Sequence, residues 1–234
     1  MQSSQAKGSA GKRRVVDAFT RTLHGLMALS FVLAYISSEV DSFRFVHVTM
    51  GYTLGFVVLI RLAWGLAGPR RVHLGPLFRR FPSSSELLEN VQELEWKVLL
   101  KHLLNLSLTI VLISALPVLV SGYMTYFSLL GKWTEEIHET AANFMLVAVI
   151  CHIGSVGALT LLAPETQMRP MITGYVAGTG PHLVKQNLIT VSLALLVMVA
   201  SFWVWQSYQY AVDPQYLAQP EWLHPVGGYK NGDD

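Results

Sequence analysis

Charge is scarce in this chain. Of 234 residues, 14% are Asp, Glu, Lys or Arg, against about a quarter in soluble domains, while 52% are hydrophobic and fall in long blocks. That balance excludes an ordinary soluble globular domain. Cysteine is scarcer still. Cys151 stands alone, which excludes an intramolecular disulfide and the CxxCH attachment of a c-type haem. The chain also lacks a Walker loop, a GxGxxG turn, an HExxH helix and an acidic metal loop, so self-contained catalysis has little support. The net charge of +2 follows from topology and implies no nucleic-acid partner.

What the chain does have is membrane-spanning length. A crossing helix needs about 20 mainly apolar residues, and five stretches qualify: 18–38, 45–66, 102–124, 138–161 and 187–207. The first follows a basic, Ser/Gly-rich leader, 1–17. Its apolar run is too long for a secretory signal and lacks a small-residue cleavage site, so it reads as a retained signal anchor. Of seventeen Lys and Arg, only Arg44, Lys132 and Lys230 fall outside the N-terminal segment to Arg21, the end of the second stretch and the connections 65–101 and 162–186. The excess of basic residues marks the cytoplasmic side. The N-terminus is therefore expected inside, and five crossings carry the tail 208–234 outside, together with the acidic turns at Glu39/Asp41 and Glu135/Glu136/Glu139.

Four histidines lie within these apolar stretches or at their rims: His24, His47, His138 and His152. A fourteen-residue step on one helix is nearly four turns, so His138 and His152 point about 40° apart in azimuth and lie about 21 Å apart in height. The topology sorts all four by depth. His24 and His152 fall about 10 Å inside the cytoplasmic face, and His47 and His138 fall near the outer one. Two bis-histidine sites at two depths suit two stacked metal centres. Their flanks suit a flat macrocycle: Gly51 and Gly55 follow His47 at four-residue steps, and Gly25 and Ala28 follow His24. Ala142, Met145 and Val149, small or pliable, continue the face between His138 and His152. Arg21 and Arg44 stand one turn from ligands and are candidate propionate partners. Thr20 and Ser155 are candidate acceptors for the second ring nitrogens.

The same residues have plainer readings. Small residues at four-residue spacing also serve helix packing in membranes, and a lone intramembrane histidine is often a partnered polar group. A haem-free structural subunit and a small transporter are the alternatives from other classes. The transporter lacks the internal repeat and paired broken helices such proteins show, and the structural subunit leaves the pairing by depth unexplained.

Taken together, Arg21-x2-His24, His47-x3-Gly51, Arg61-x2-Trp64, Ser121-Gly122, and His138-Glu139 with His152 resemble the superfamily of bacterial cytochrome b561 and the b-type cytochrome of nickel-iron hydrogenase, over about residues 15–162. The resemblance implies an all-α integral membrane fold, a four-helix bundle holding two non-covalently bound b haems, here 18–162 with a fifth helix in 163–207. It implies His24 with His152 on the inner haem iron and His47 with His138 on the outer. It further implies a subunit in the bacterial inner membrane, passing electrons between quinone and a periplasmic redox protein, either a c-type cytochrome or a dehydrogenase or hydrogenase subunit. The nearer rival within that superfamily is a stand-alone superoxide:quinone oxidoreductase. Gly25 departs from the pattern, which often has an aromatic residue there.

The remaining features give context. His102, beside Lys101 at the start of the third stretch, is read as an interface residue before a quinone or propionate contact. His73, His182 and His224 lie in polar segments and read as solvated. Pro69, Pro76 and Pro82 break up the basic connection, after which Ser83–Lys101 reads as a charged helix on the membrane surface. Pro117 is expected to kink the third helix. Trp203, Trp205, Tyr208 and Tyr210 form an interfacial aromatic belt, and the tail beyond is a candidate docking segment.

Overall fold

The computed structural model describes residues 11–67, 96–162, 168–178 and 181–213. Helix α1 spans Ala18–Ser37, α2 Arg44–Ala67, α3 Trp96–Tyr126, α4 Trp133–Leu162, α5 Met168–Thr173 and α6 Ile189–Val212. Apart from the six-residue α5, each is long and apolar enough to cross a membrane. A short 3-10 turn at Asp41–Phe43 and two short strands, β1 at Lys12–Arg14 and β2 at Tyr175–Ala177, complete the described elements. The chain is an all-α integral membrane bundle with a small ribbon at one end.

Local chemistry sets the helix boundaries. Asp17 caps α1, its carboxylate accepting the Thr20 backbone N–H at 2.7 Å and the Thr20 hydroxyl at 3.0 Å, which satisfies one of the orphan donors at a helix start. The turn between α3 and α4 uses a positive φ at Gly131, and the Thr134 hydroxyl donates back to the Gly131 carbonyl at 2.8 Å. Within the spans, several hydroxyls find their acceptor locally. Thr53, Ser114, Ser155 and Ser192 each donate to the carbonyl four residues earlier, which makes polar side chains tolerable where no water is available.

Packing divides the bundle into two hairpins. α1 lies closely along α2, and α3 closely along α4, whereas the hairpins approach each other at few points. They meet at mid-bundle through Phe31, Leu54, Val58, Ala115, Val118 and Met145, drawn from all four helices. Beyond that layer the hairpins also touch, the Tyr35 hydroxyl of α1 donating to the Asn143 side chain of α4 at 2.7 Å. α6 rests in the groove of α1 and α2, where Leu195 and Val199 pack on Phe19, Leu23, Leu26 and Val57. The Trp203 indole N–H donates to the Thr53 hydroxyl at 2.9 Å, and Tyr210 stacks on Phe45 with ring centres 4.6 Å apart. Large apolar side chains such as Ile36, Leu59, Val120, Ile150 and Val204 are exposed on the outside, as lipid requires.

Two expectations change. Ser83–Lys101 is not a separate surface helix as far as the described residues reach: Trp96–Lys101 is the first part of α3, because no Gly or Pro interrupts the run between 96 and 116. The remainder of that expectation, 83–95, lies outside the described residues, as do His73 and His224. α3 is one continuous helix with Pro117 inside it.

The second change concerns the leader and the connection before α6. Residues 12–14 of the leader pair antiparallel with 175–177 of the connection before α6, in the register Arg13 opposite Val176. Gly174, at φ +83, makes this possible: its carbonyl accepts from Val15 and Val16 at 2.9 and 3.2 Å, and a Cβ there would meet the Val16 oxygen at 2.8 Å. His182 is exposed but not merely solvated, since its Nδ1 accepts the Arg14 backbone N–H at 2.9 Å. The Asn187 side chain accepts the Ala18 N–H at 3.1 Å. The ribbon thus ties the start of α1 to the segment leading into α6.

Candidate functional site

The four histidines meet in two pairs between the hairpins. At the end far from the N-terminus, His47, one turn into α2, faces His138, in the second turn of α4, with ring centres 6.1 Å apart and planes at 87°. Toward the N-terminal end, His24 of α1 faces His152 of α4 at 6.3 Å and 63°. The fourteen-residue step along α4 separates the two pairs by about 21 Å, with Met145 of the apolar layer midway between them. The pairing by depth read from the sequence is the pairing the fold brings together.

The far pair is held by the backbone. His47 Nδ1 lies 2.8 Å from the Ala34 carbonyl oxygen. His138 Nδ1 lies 3.0 Å from the Val118 carbonyl and 3.3 Å from the Ser121 hydroxyl. A carbonyl only accepts, so each Nδ1 carries the proton and donates it, leaving the Nε2 lone pair free. That is the tautomer of a metal-binding imidazole with its second nitrogen anchored. Gly122 completes the arrangement: a Cβ there would lie 2.8 Å from His138 Cε1 and 3.0 Å from Nδ1. Ser121-Gly122 was legible as a motif, but its role as clearance for the His138 ring was not.

The N-terminal pair is held differently. His152 Nδ1 is buried without a hydrogen-bond partner. The acceptors expected for this pair are engaged elsewhere, Thr20 with Asp17 and Ser155 with the Cys151 carbonyl. Arg21, expected near a propionate, directs one guanidinium N–H to the Ile172 carbonyl at 2.7 Å. It serves the connection to α6 at least as much as the histidine one turn away. Arg44 is exposed at the start of α2. His102 lies in the second turn of α3, half-buried, with Nδ1 shielded and unpartnered.

The geometry restricts what these pairs can hold. A metal–imidazole bond of about 2.0 Å, plus about 1.1 Å from nitrogen to ring centre, sets two trans imidazoles on one metal about 6 Å apart. Both pairs meet that distance. Among the described residues, no group of three or more His, Cys, Asp or Glu could hold a bare metal ion, and two imidazoles alone leave a metal short of ligands. A porphyrin supplies the four equatorial nitrogens that the protein does not, so the pairs fit haem and do not fit a bare ion. Room exists beside the outer pair: a Cβ at Gly51, one turn along α2 from His47, would meet nothing within 4 Å; Gly25, next to His24, is exposed on the outside of α1. Gly55 departs from the expected open strip, because a Cβ there would press on Leu119 at 3.2 Å; that glycine serves the contact between α2 and α3.

Comparison with known proteins agrees with this chemistry. The family model described as prokaryotic cytochrome b561 matches residues 15–174, from just before α1 to the glycine that precedes β2. No curated protein and no solved structure matches the chain. With two facing histidine pairs inside a bundle of spanning helices, and a family match over more than half its length, the chain belongs to the prokaryotic cytochrome b561 family of membrane b-type electron-transfer cytochromes.

Proposed function

We infer that this chain carries electrons across the bacterial inner membrane through two b-type haems, between a quinone pool and a periplasmic redox protein, as the membrane subunit of a redox complex. The observation that carries the reading is the pair of facing imidazoles at each of two depths, 6.3 and 6.1 Å apart, close to the separation of trans ligands on one metal. His24 and His152 are assigned to the inner haem, His47 and His138 to the outer. Haem held by these imidazoles would supply reversible one-electron chemistry.

The chain's own residues do the rest. The Ala34 and Val118 carbonyls orient the outer imidazoles, Gly122 clears the His138 ring, and the mid-bundle layer around Met145 keeps the path between the pairs dry. The distribution of Lys and Arg supports a cytoplasmic N-terminus and a periplasmic C-terminus. The haem-binding unit is then 18–162, with 163–207 as a supporting connection and fifth helix. The exposed acids Glu135, Glu136 and Glu139 near the outer pair favour a partner with a basic docking face.

Reconstitution into vesicles containing quinone, with a membrane-impermeant redox dye on one side, tests this reading. The wild-type chain should connect dye to quinone. His138→Ala and His152→Ala should each lose one haem and abolish the connection. Undiminished electron flow in either variant would refute the assigned pairs.

A further inference from the structure

The two histidine pairs differ in how their second ring nitrogens are satisfied, and that difference has an electrical meaning. Resting on the reading of both pairs as haem ligands, we propose that the outer pair, His47 and His138, holds its haem at a lower reduction potential than the inner pair, His24 and His152, with the Ala34 and Val118 carbonyls as the positioning groups that set the order.

Both outer imidazoles donate Nδ1–H to a backbone carbonyl, at 2.8 and 3.0 Å. Such a bond pushes electron density toward Nε2 and makes the ring a stronger donor to the metal, which stabilises the oxidised iron. The inner pair lacks this symmetry of support. His152 Nδ1 is buried with no partner, and the nearby hydroxyl of Ser155 donates to the Cys151 carbonyl instead of facing the ring. A ring without that bond is the weaker donor, and its iron retains an added electron more readily.

Fixed charge acts in the same direction. Positive charge favours the reduced state and negative charge opposes it. Arg21 stands one turn from His24, and Arg14 is part of the adjoining ribbon; Asp17, buried at the same end, offsets part of this. Glu135, Glu136 and Glu139 flank His138, with Arg44 and Lys132 as the nearby charges of opposite sign. These outer charges are exposed and screened by salt, so the hydrogen bonds are the principal cause. With this order, an electron entering the outer site from a one-electron donor outside moves to the inner site spontaneously.

Potentiometric titration of the full-length chain, followed at the haem absorption bands in detergent, tests the proposal. Wild type should titrate in two separated steps. His138→Ala, or His47→Ala where the first variant fails to fold, should leave only the higher-potential step. His152→Ala, or His24→Ala, should leave only the lower. Repeating the wild-type titration at high salt should preserve the order. A single unresolved step, or the reverse assignment with one haem lost per variant, refutes the inference while sparing the haem assignment. Collapse of the separation at high salt refutes the hydrogen-bond cause. Variants that fold and keep both haems would overturn the underlying reading itself.

Discussion

Gly122→Ala offers a narrow test of the outer site, because it adds one methyl group at a place where the structure leaves no room. The new Cβ would lie 2.8 Å from His138 Cε1 and 3.0 Å from Nδ1. Restoring an ordinary contact of 3.4 Å to the nearer atom requires about 0.6 Å of movement. Metal–ligand distances tolerate about 0.2 Å, so the ring cannot absorb the change and keep its place on a metal shared with His47. Nor can it retreat freely, since Nδ1 is anchored to Val118 at 3.0 Å and a lost hydrogen bond costs about 1 kcal/mol. The expected result is a protein that folds and inserts but keeps roughly one haem in place of two, or shows partial high-spin character at one of them. Gly25→Ala, where the added methyl group meets nothing within 4 Å, is the matched control and should leave both haems intact. The assay is haem per protein together with the low-spin absorption spectrum. Two unperturbed low-spin haems in Gly122→Ala would refute the argument that this glycine exists to clear the ligand.

Other consequences follow from the same geometry. Gly51→Leu fills the open space one turn from His47 and should lower haem content while leaving helical circular dichroism unchanged; unchanged haem content would mean the space is not used by the macrocycle. Asp17→Ala removes the α1 cap and should cost about 1 kcal/mol, read as a lower midpoint in thermal unfolding of the detergent-solubilised protein. Thr53→Val leaves the Trp203 indole N–H unpaired and should loosen α6 by about 1 kcal/mol; faster proteolysis near the end of α6 without loss of haem is the expected signature.

Much of this arrangement was legible because helix geometry is regular. Once α4 is a single helix, the interval from His138 to His152 fixes their height and direction, and charge bias sorts the other two histidines by depth. The sequence could not indicate which atoms hold the imidazoles, because the anchors at Ala34 and Val118 are backbone carbonyls, and every residue has one. Side-chain candidates such as Thr20 and Ser155 were attractive by type, yet hydroxyls on spanning helices turn to local partners: Ser155 bonds its own helix and Thr20 serves the Asp17 cap. The β1–β2 ribbon is illegible in the sequence for another reason. Three-residue strands with more than 150 residues between them carry no periodic signal, and only Gly174, with its positive φ, hints at the turn. α3 begins before its apolar stretch because no Gly or Pro interrupts the run from Trp96 to Leu116, although the charged residues up to Lys101 carry an interfacial signal.

The most direct test of the central claim is a dithionite-reduced minus oxidised absorption spectrum of the detergent-purified chain, with haem quantified against protein. The account predicts two non-covalently bound b haems per chain with the low-spin spectrum of bis-histidine ligation. A colourless protein, or one with high-spin haem bound through a single histidine, would contradict it.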